Sequence, residues 1–196
     1  MDNFPILTTE RLSLRELSLD DAPALFAVHS DAEGMRWFGT DPMTNPSDAE
    51  NMIQTVENLW LAGTGLRWAI ERRSDRTFLG TCGLFKWNRG WRSCVIGYEL
   101  APFARGNGYM HEALTAAIHY GFNVMLLNRI EAQVHTQNAK SLQTLNTLGF
   151  VGEGLQRQAG YWQSAYHDLH QLALIRRDYQ HPKGAVLIHE SITPEY

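Results

Sequence analysis

Lysine is scarce in this chain. Lys86, Lys140 and Lys183 are the only three, and the remaining basic charge is arginine scattered along the sequence. With a net charge of −4 and no cationic patch, generic nucleic-acid binding is not expected. Cysteine is nearly as rare. Cys82 and Cys94 match no metal-ligand spacing and build no disulfide framework, which fits a reducing compartment. No apolar run approaches the length of a membrane span, and the N-terminus carries no signal-like segment. A cytoplasmic protein without a membrane partner is therefore expected. Repeats, low-complexity tracts and interdomain linkers are missing too. The 196 residues suffice for one domain with a real core. We expect it to span residues 1–179, with 180–196 as a C-terminal extension.

The familiar phosphate-loop and metal signatures are also incomplete. The most informative stretch runs Leu100-Ala101-Pro102-Phe103-Ala104-Arg105-Gly106-Asn107-Gly108-Tyr109-Met110-His111-Glu112-Ala113-Leu114. A dinucleotide fingerprint needs a third glycine where His111 stands, and a P-loop needs a Gly-Lys-Ser/Thr that is absent. His111-Glu112 begins a zinc motif, but Thr115 occupies the place of the second histidine. His167 and His170 are three apart on a strand and face opposite sides. No metal is expected. What is present is a strand ended by a proline, an Arg-Gly-x-Gly turn and an amphipathic helix. Such a turn aims free backbone N–H groups at an anion, above all a phosphate. A glycine turn before an ordinary core helix is the plainer reading of the same residues.

Periodicity organises the rest. A strand is expected at Arg11–Glu16, then a helix capped by Asp20 with Pro23 in its first turn. Residues 34–46 read as a loop. Ser47-Asp48-Ala49-Glu50 reads as a capping box, with Ile53, Val56, Leu59 and Trp60 on the apolar face behind it. Strands are expected at 66–71, 78–86, 93–100, 129–135, 151–157 and 165–177, with turns at Ser74-Asp75 and Asn88-Arg89-Gly90. The helix after the glycine turn should bury Met110, Ala113, Leu114, Ala117, Ile118, Gly121 and Phe122. Asn138 suits an N-cap and Gly149 a C′ residue. The order is that of an α+β domain with a mixed sheet and helices on both faces. The tail holds a short apolar run, Val186-Leu187-Ile188, which reads either as loose extension or as a segment docked on a sheet edge or a partner subunit.

Arg105-x-x-Gly108-x-Met110, followed by Glu112-Ala113-Leu114, resembles the pyrophosphate loop of the GNAT acetyltransferases, with Met110 in place of the usual Gly or Ala. Asn138-Ala139-Lys140-Ser141 followed by Leu148-Gly149-Phe150 resembles the RimJ/RimL-type branch. So do Leu7-Thr8-Thr9-Glu10-Arg11-Leu12, Gly160-Tyr161-Trp162-Gln163 and Tyr166-His167-Asp168-Leu169. The resemblance runs from Leu7 to about Tyr179. It implies a GNAT-like fold, mostly antiparallel, and transfer of an acetyl group from acetyl-CoA to a primary amine. The acceptor would be a protein N-terminal α-amine or a small-molecule amine, and a homodimer is compatible with it. The rival reading is an idle acyl-CoA-binding or regulatory module on the same fold.

By the resemblance, the backbone of Arg105, Gly106, Asn107, Gly108, Tyr109 and Met110 holds the pyrophosphate. A backbone N–H at Leu100 polarises the thioester carbonyl. The tyrosine that many members place seven residues after the capping asparagine is Leu145 here, so the departing sulfur falls to Ser141, with Asn138 also at the cofactor. The proton acceptor is the least defined part. Glu99 precedes the loop and is placed to work through water, while Glu131 is on the next strand. Positions where some relatives carry a glutamate hold Gln133 and Gly160. An α-amine of pKa about 7.7–8.0 is roughly a quarter neutral near pH 7.4, against about a thousandth for a lysine amine. A chain without an obvious strong base suits the former. The net charge modestly favours a cationic acceptor. Trp37, Phe38, Tyr161 and Trp162 are either core or the lining of an acceptor pocket.

Overall fold

The structure is a computed structural model that describes residues 3–180 and 187–189. Nine strands form one sheet: β1 (Ile6–Thr8), β2 (Leu12–Glu16), β3 (Leu66–Arg72), β4 (Phe78–Asn88), β5 (Ser93–Leu100), β6 (Arg129–His135), β7 (Val151–Trp162), β8 (Ala165–Ile175) and β9 (Leu187–His189). Their spatial order is β7-β8-β6-β5-β4-β3-β2-β1-β9. Every pairing is antiparallel except β5 with β6. Among the described residues five α-helices accompany it: α1 (Ala22–His29), α2 (Ala32–Met35), α3 (Pro46–Leu61), α4 (Tyr109–Asn123) and α5 (Ala139–Thr147). Among the described residues no helix is long and apolar enough to cross a membrane.

Helices cover both faces of the sheet, and β3 shows it. Trp68 and Ile70 join Leu7, Leu14, Leu84, Leu114, Phe122 and Ile130 in the core under α4. Ala69, one residue out of phase, joins Leu25, Ile53 and Val56 under α1 and α3. Successive residues of a strand point to opposite faces, so a strand buried on both reads as a continuous apolar run. The periodicity of α4 holds with one adjustment. Ala113, Leu114, Ala117, Ile118, Gly121 and Phe122 are buried, whereas Met110 is only partly so.

Local chemistry moves several expected boundaries. The capping box of α3 is formed by Asn45 and Asp48, two residues earlier than expected: the Asp48 carboxylate accepts from the Asn45 N–H at 3.0 Å. Pro46 explains the shift, since its fixed φ suits the first helical position and it forces Asn45 into the extended conformation of a cap. Asp21, not Asp20, heads α1. Its buried carboxylate accepts two 2.8 Å bonds from Arg15, while Asp20 faces solvent. The short helix α2 enters the expected 34–46 loop, started by Asp31 accepting from the Gly34 N–H. β7 runs five residues further than its periodicity indicates, to a two-residue turn in which Gln163 and Ser164 both have positive φ. That is the backbone of a type I′ hairpin without its usual Asn-Gly. In the tail, Leu187–His189 pairs with β1, register Leu7↔Ile188, which makes β9 the edge of the sheet. Val186 lies outside the described residues.

Replacing Asn45 by Ala should lower the unfolding free energy by about 1 kcal/mol, the usual loss for an N-cap. Ser47→Ala, one residue inside the helix, should leave urea denaturation midpoints unchanged.

Candidate active site

The site grows from a disagreement between two neighbouring strands. β5 pairs with β4 along its whole length, ending at Gly80↔Leu100. Against β6 it makes only three parallel pairs, Ser93↔Arg129, Cys94↔Ile130 and Val95↔Glu131. β6 then continues to His135 paired with β8 instead. From Ile96 to Leu100 one edge of β5 is left without a strand. The Ala101 N–H donates to Leu79 on β4 at 2.8 Å. Backbone groups alternate along a strand, so the Leu100 N–H points the other way, into the gap. The Leu100 carbonyl faces there as well and accepts from Arg105 Nε at 3.1 Å.

The glycine turn closes one end of this gap. Gly106 and Gly108 have φ of +79° and +76°, the left-handed region that glycine enters without steric penalty. A Cβ at Gly106 would meet nothing within 4 Å, and one at Gly108 would meet only the Arg11 guanidinium at 3.5 Å. The space over the turn is open. Gly108 is the N-cap of α4, and the first intrahelical bond is Glu112 N–H to the Gly108 carbonyl. The N–H groups of Tyr109, Met110 and His111 precede it and face the turn. The turn is braced from outside. Glu112 accepts from Thr9 and from the Arg11 backbone and side chain, while Arg11 donates to the Asn107 carbonyl at 3.0 Å. The Asn107 side chain folds inward onto the Ala104 and Arg105 carbonyls. Arg105 itself reaches back toward Asp31 at 3.7 Å, so its side chain braces the turn while its backbone stays part of it.

Across the gap, Asn138 caps α5 by accepting from the Ser141 N–H at 3.2 Å. The Ser141 hydroxyl is 2.7 Å from that of Tyr98 on β5. Burial pushes the Tyr98 phenol up to about 12, against the pull of the Ser141 bond, so it stays protonated. Leu145, one turn further on, is fully buried in the core. The partnership of Tyr98 with Ser141 has no signature in the sequence, because the two lie 43 residues apart.

Glu99 points to the opposite face from Tyr98. It accepts from Thr81 and from Arg67 Nη2 (2.5 Å), and its Oε1 lies 3.1 Å from His29 Nε2. All four side chains are buried. Burial alone would raise the Glu99 pKa. The Arg67 charge and the hydrogen bonds from His29 and Thr81 outweigh it, and the net shift is downward. Glu99 is thus an anion wrapped in donors. Among its neighbours only the half-buried Phe38, against both His29 and Arg67, stands out in the sequence. Glu131 is not near this cluster in function: it is taken by Arg129 at 2.6 Å.

An open-edged strand followed by a turn of free N–H groups fits a long ligand with a phosphate-bearing head and a narrow arm, as acetyl-CoA is. An acetyltransferase (GNAT) domain profile matches residues 11–151. The N-acetyltransferase YoaA of Bacillus subtilis, uncharacterized, is 37% identical over 173 residues, 88% of this chain and 98% of its own. The chain belongs to the GNAT acetyltransferases. The [ribosomal protein uS5]-alanine N-acetyltransferase of Escherichia coli is 28% identical over 155 residues, 76% of this chain and 79% of its own. A spermidine N-acetyltransferase from Vibrio cholerae, solved with CoA and spermine, superposes with a TM-score of 0.77 at 21% identity, covering 86% of this chain and 98% of that one. The fold is the mixed, mostly antiparallel α+β sheet of the family, and the chain is an N-acetyltransferase that resembles the RimJ/RimL type.

Beyond the gap, this acetyltransferase carries two linked histidines, His135 and His167. The Gln137 N–H donates to His135 Nδ1 at 3.1 Å, so His135 carries its proton on Nε2. That nitrogen lies 3.2 Å from His167 Nδ1, and His167 Nε2 lies 3.2 Å from the Trp162 carbonyl. Trp37 stacks on His135 and Trp162 on His167, and Trp162 Nε1 donates to the Arg36 carbonyl. Two of the four aromatics, Trp37 and Trp162, thus fasten the segment after α2 to β6 and to the β7–β8 hairpin. Phe38 packs on the Glu99 cluster, and Tyr161 lies exposed against Tyr166.

Two expectations follow. Glu99→Gln would leave the Arg67 charge buried without its partner, so it should cost about 3–5 kcal/mol of stability by denaturant titration. The histidine chain gives a pH dependence. Burial first, then the His167 and Arg36 charges, lower the His135 pKa, against a smaller opposite pull from Asp168. A histidine depressed on folding contributes stability that is complete above its unfolded pKa of about 6.5 and is lost as pH falls through the lower native value. The drop in melting temperature between pH 7 and pH 5 should therefore shrink in His135→Gln, which keeps a donor toward His167 but does not titrate.

Proposed function

We propose that this enzyme takes acetyl-CoA along the open edge of β5 and acetylates a primary amine of low pKa, a peptide N-terminal α-amine before a small-molecule amine. The parting of β5 from β6, directly upstream of the open glycine turn, carries this reading. Acetyl-CoA supplies the activated acetyl group as a thioester. The backbone from Arg105 to Met110 receives the pyrophosphate, each N–H contact at a helix start being worth about 0.3–1 kcal/mol or more when partly buried. The Leu100 N–H donates to the thioester carbonyl, where negative charge grows during attack. Ser141 donates to the departing sulfur, and Asn138 holds the first turn of α5 in place for it.

The acceptor class follows from Glu99. Its lowered pKa makes it a weak proton acceptor, working through water. Removing a proton from a lysine-type amine rather than an α-amine asks for about 3–4 kcal/mol more. The relative that acts on an alanine of uS5 agrees with an α-amine. The Vibrio enzyme with spermine keeps the small-molecule reading in view.

Release of free CoA thiol should be fastest with peptides bearing a free N-terminal α-amine, and the rate should level off above about pH 8 as that amine becomes neutral. A clear preference for spermidine or free lysine side chains, with a rate still rising at pH 9–10, would overturn the acceptor assignment. Gly108→Val should weaken acetyl-CoA binding at least about tenfold, roughly 1.4 kcal/mol, in calorimetric titration of a folded protein. Unchanged affinity would remove the turn from the binding site.

A further inference from the structure

Ser141 has one hydroxyl hydrogen, and its neighbour Tyr98 competes for it. The two oxygens are 2.7 Å apart, so one of them donates to the other. If Ser141 were the donor, its only hydrogen would be spent on the phenol and none would remain for sulfur. If Tyr98 is the donor, Ser141 Oγ accepts and its hydrogen turns elsewhere. The surroundings favour the second arrangement. The Tyr98 ring packs against the main core, and its hydroxyl is directed at the first turn of α5. Ser141 sits in that turn with its own N–H committed to Asn138, which fixes the Cα–Cβ direction. The Tyr98 phenol, retained by burial, is a dependable donor at any working pH.

The position of Tyr98 adds to the argument. It lies on the part of β5 that β6 has left, two residues before Leu100. The bond to Ser141 spans the two lips of the gap, from β5 to the helix that follows β6. A group that orients the serine hydroxyl from this side leaves the hydrogen free on the side of the gap.

We propose that Tyr98 is a positioning residue for acetyl transfer: its phenol donates to Ser141 Oγ and frees the serine hydrogen for the sulfur that leaves the acetyl group. This rests on the assignment of Ser141 to the sulfur. In the transfer the amine nitrogen bonds to the acetyl carbon, and the carbon–sulfur bond breaks with its electron pair going to sulfur. The amine proton departs through water toward Glu99 and solvent. Ser141 keeps its covalent hydrogen and lends it as a hydrogen bond to the thiolate, and Tyr98 keeps its own.

Four proteins test this: the wild type, Tyr98→Phe, Ser141→Ala and the double variant, each measured for kcat, KM for acetyl-CoA and melting temperature. Ser141→Ala should lower kcat about 10- to 100-fold. Tyr98→Phe should lower kcat about 5- to 20-fold, with KM for acetyl-CoA within about twofold and an unchanged melting temperature. In the Ser141→Ala background, Tyr98→Phe should change kcat by less than about twofold, because there is no hydroxyl left to orient. An equal fold-loss from Tyr98→Phe in both backgrounds would overturn the inference. So would a Tyr98→Phe enzyme with wild-type kcat beside a slow Ser141→Ala enzyme, or a loss seen only as raised KM and lowered melting temperature. Wild-type turnover in Ser141→Ala would instead overturn the assignment of Ser141, and the role of Tyr98 with it.

Discussion

The three parallel pairs between β5 and β6 are the constraint on which the rest of the molecule turns. They join two sheets that are otherwise complete, one of six strands from β9 to β5 and one of three from β6 to β7. Each half has its own antiparallel ladder, so the halves diverge after Val95 without breaking any pairing except their own. What the divergence leaves is a row of backbone groups on one edge of β5 that lack a strand partner. Buried peptide groups left without partners are costly, so such an edge is stable only where side chains, water or a ligand complete it. Arg105 completes one carbonyl. The remaining edge is a preformed strip of peptide groups, with the helix-start N–H groups of the glycine turn at its end. The open edge is thus built into the sheet rather than added by loops.

The same strand assigns its consecutive residues to three tasks by alternation alone. Tyr98 faces α5 and meets Ser141. Glu99 faces α1 and meets His29, Thr81 and Arg67. Leu100 presents its peptide edge to the gap. A one-residue slip of β5 would exchange the buried charge cluster with the hydroxyl pair and turn the Leu100 N–H toward β4. Register is therefore under chemical as well as hydrophobic control. The Arg67–Glu99 pair enforces it, because an ion pair buried at this depth tolerates no position in which one partner is missing. A buried pair of this kind adds little net stability, and its value is in the specificity of the arrangement.

Much of this was legible in the sequence, and the reason is local. The Arg-Gly-x-Gly turn, the capping asparagine and the Leu-Gly-Phe at the end of α5 are short-range signals, and they mark elements whose backbone conformation is decided within a few residues. Strand periodicity identified β2 to β8 for the same reason, whereas β1 and β9, three residues each, are too short to show a period. The missed features are contacts made over long sequence distances. Arg67 with Glu99, Tyr98 with Ser141 and His135 with His167 each join elements 32 to 43 residues apart. No period or spacing encodes such a meeting. Asn45 was passed over in favour of Ser47 because both suit a cap, and Pro46 is what decides between them. The Gln163-Ser164 turn was obscured because neither residue advertises the positive φ that the hairpin imposes on it.

The region beyond the gap is stiffened by aromatic stacking around two histidines. Each ring lies against an indole, and the Gln137 N–H sets the tautomer of His135. Protonating His135 would place a second donor against the Gln137 N–H, so that bond is kept only while the His135 ring is neutral. Glu99 and Arg67, by contrast, are a buried ion pair on the α1 face of the sheet. In the proposed function, where Glu99 is the proton acceptor and its pKa is lowered, selection falls on the intrinsic pKa of the amine. That is the physical ground on which an α-amine and a lysine side chain differ most.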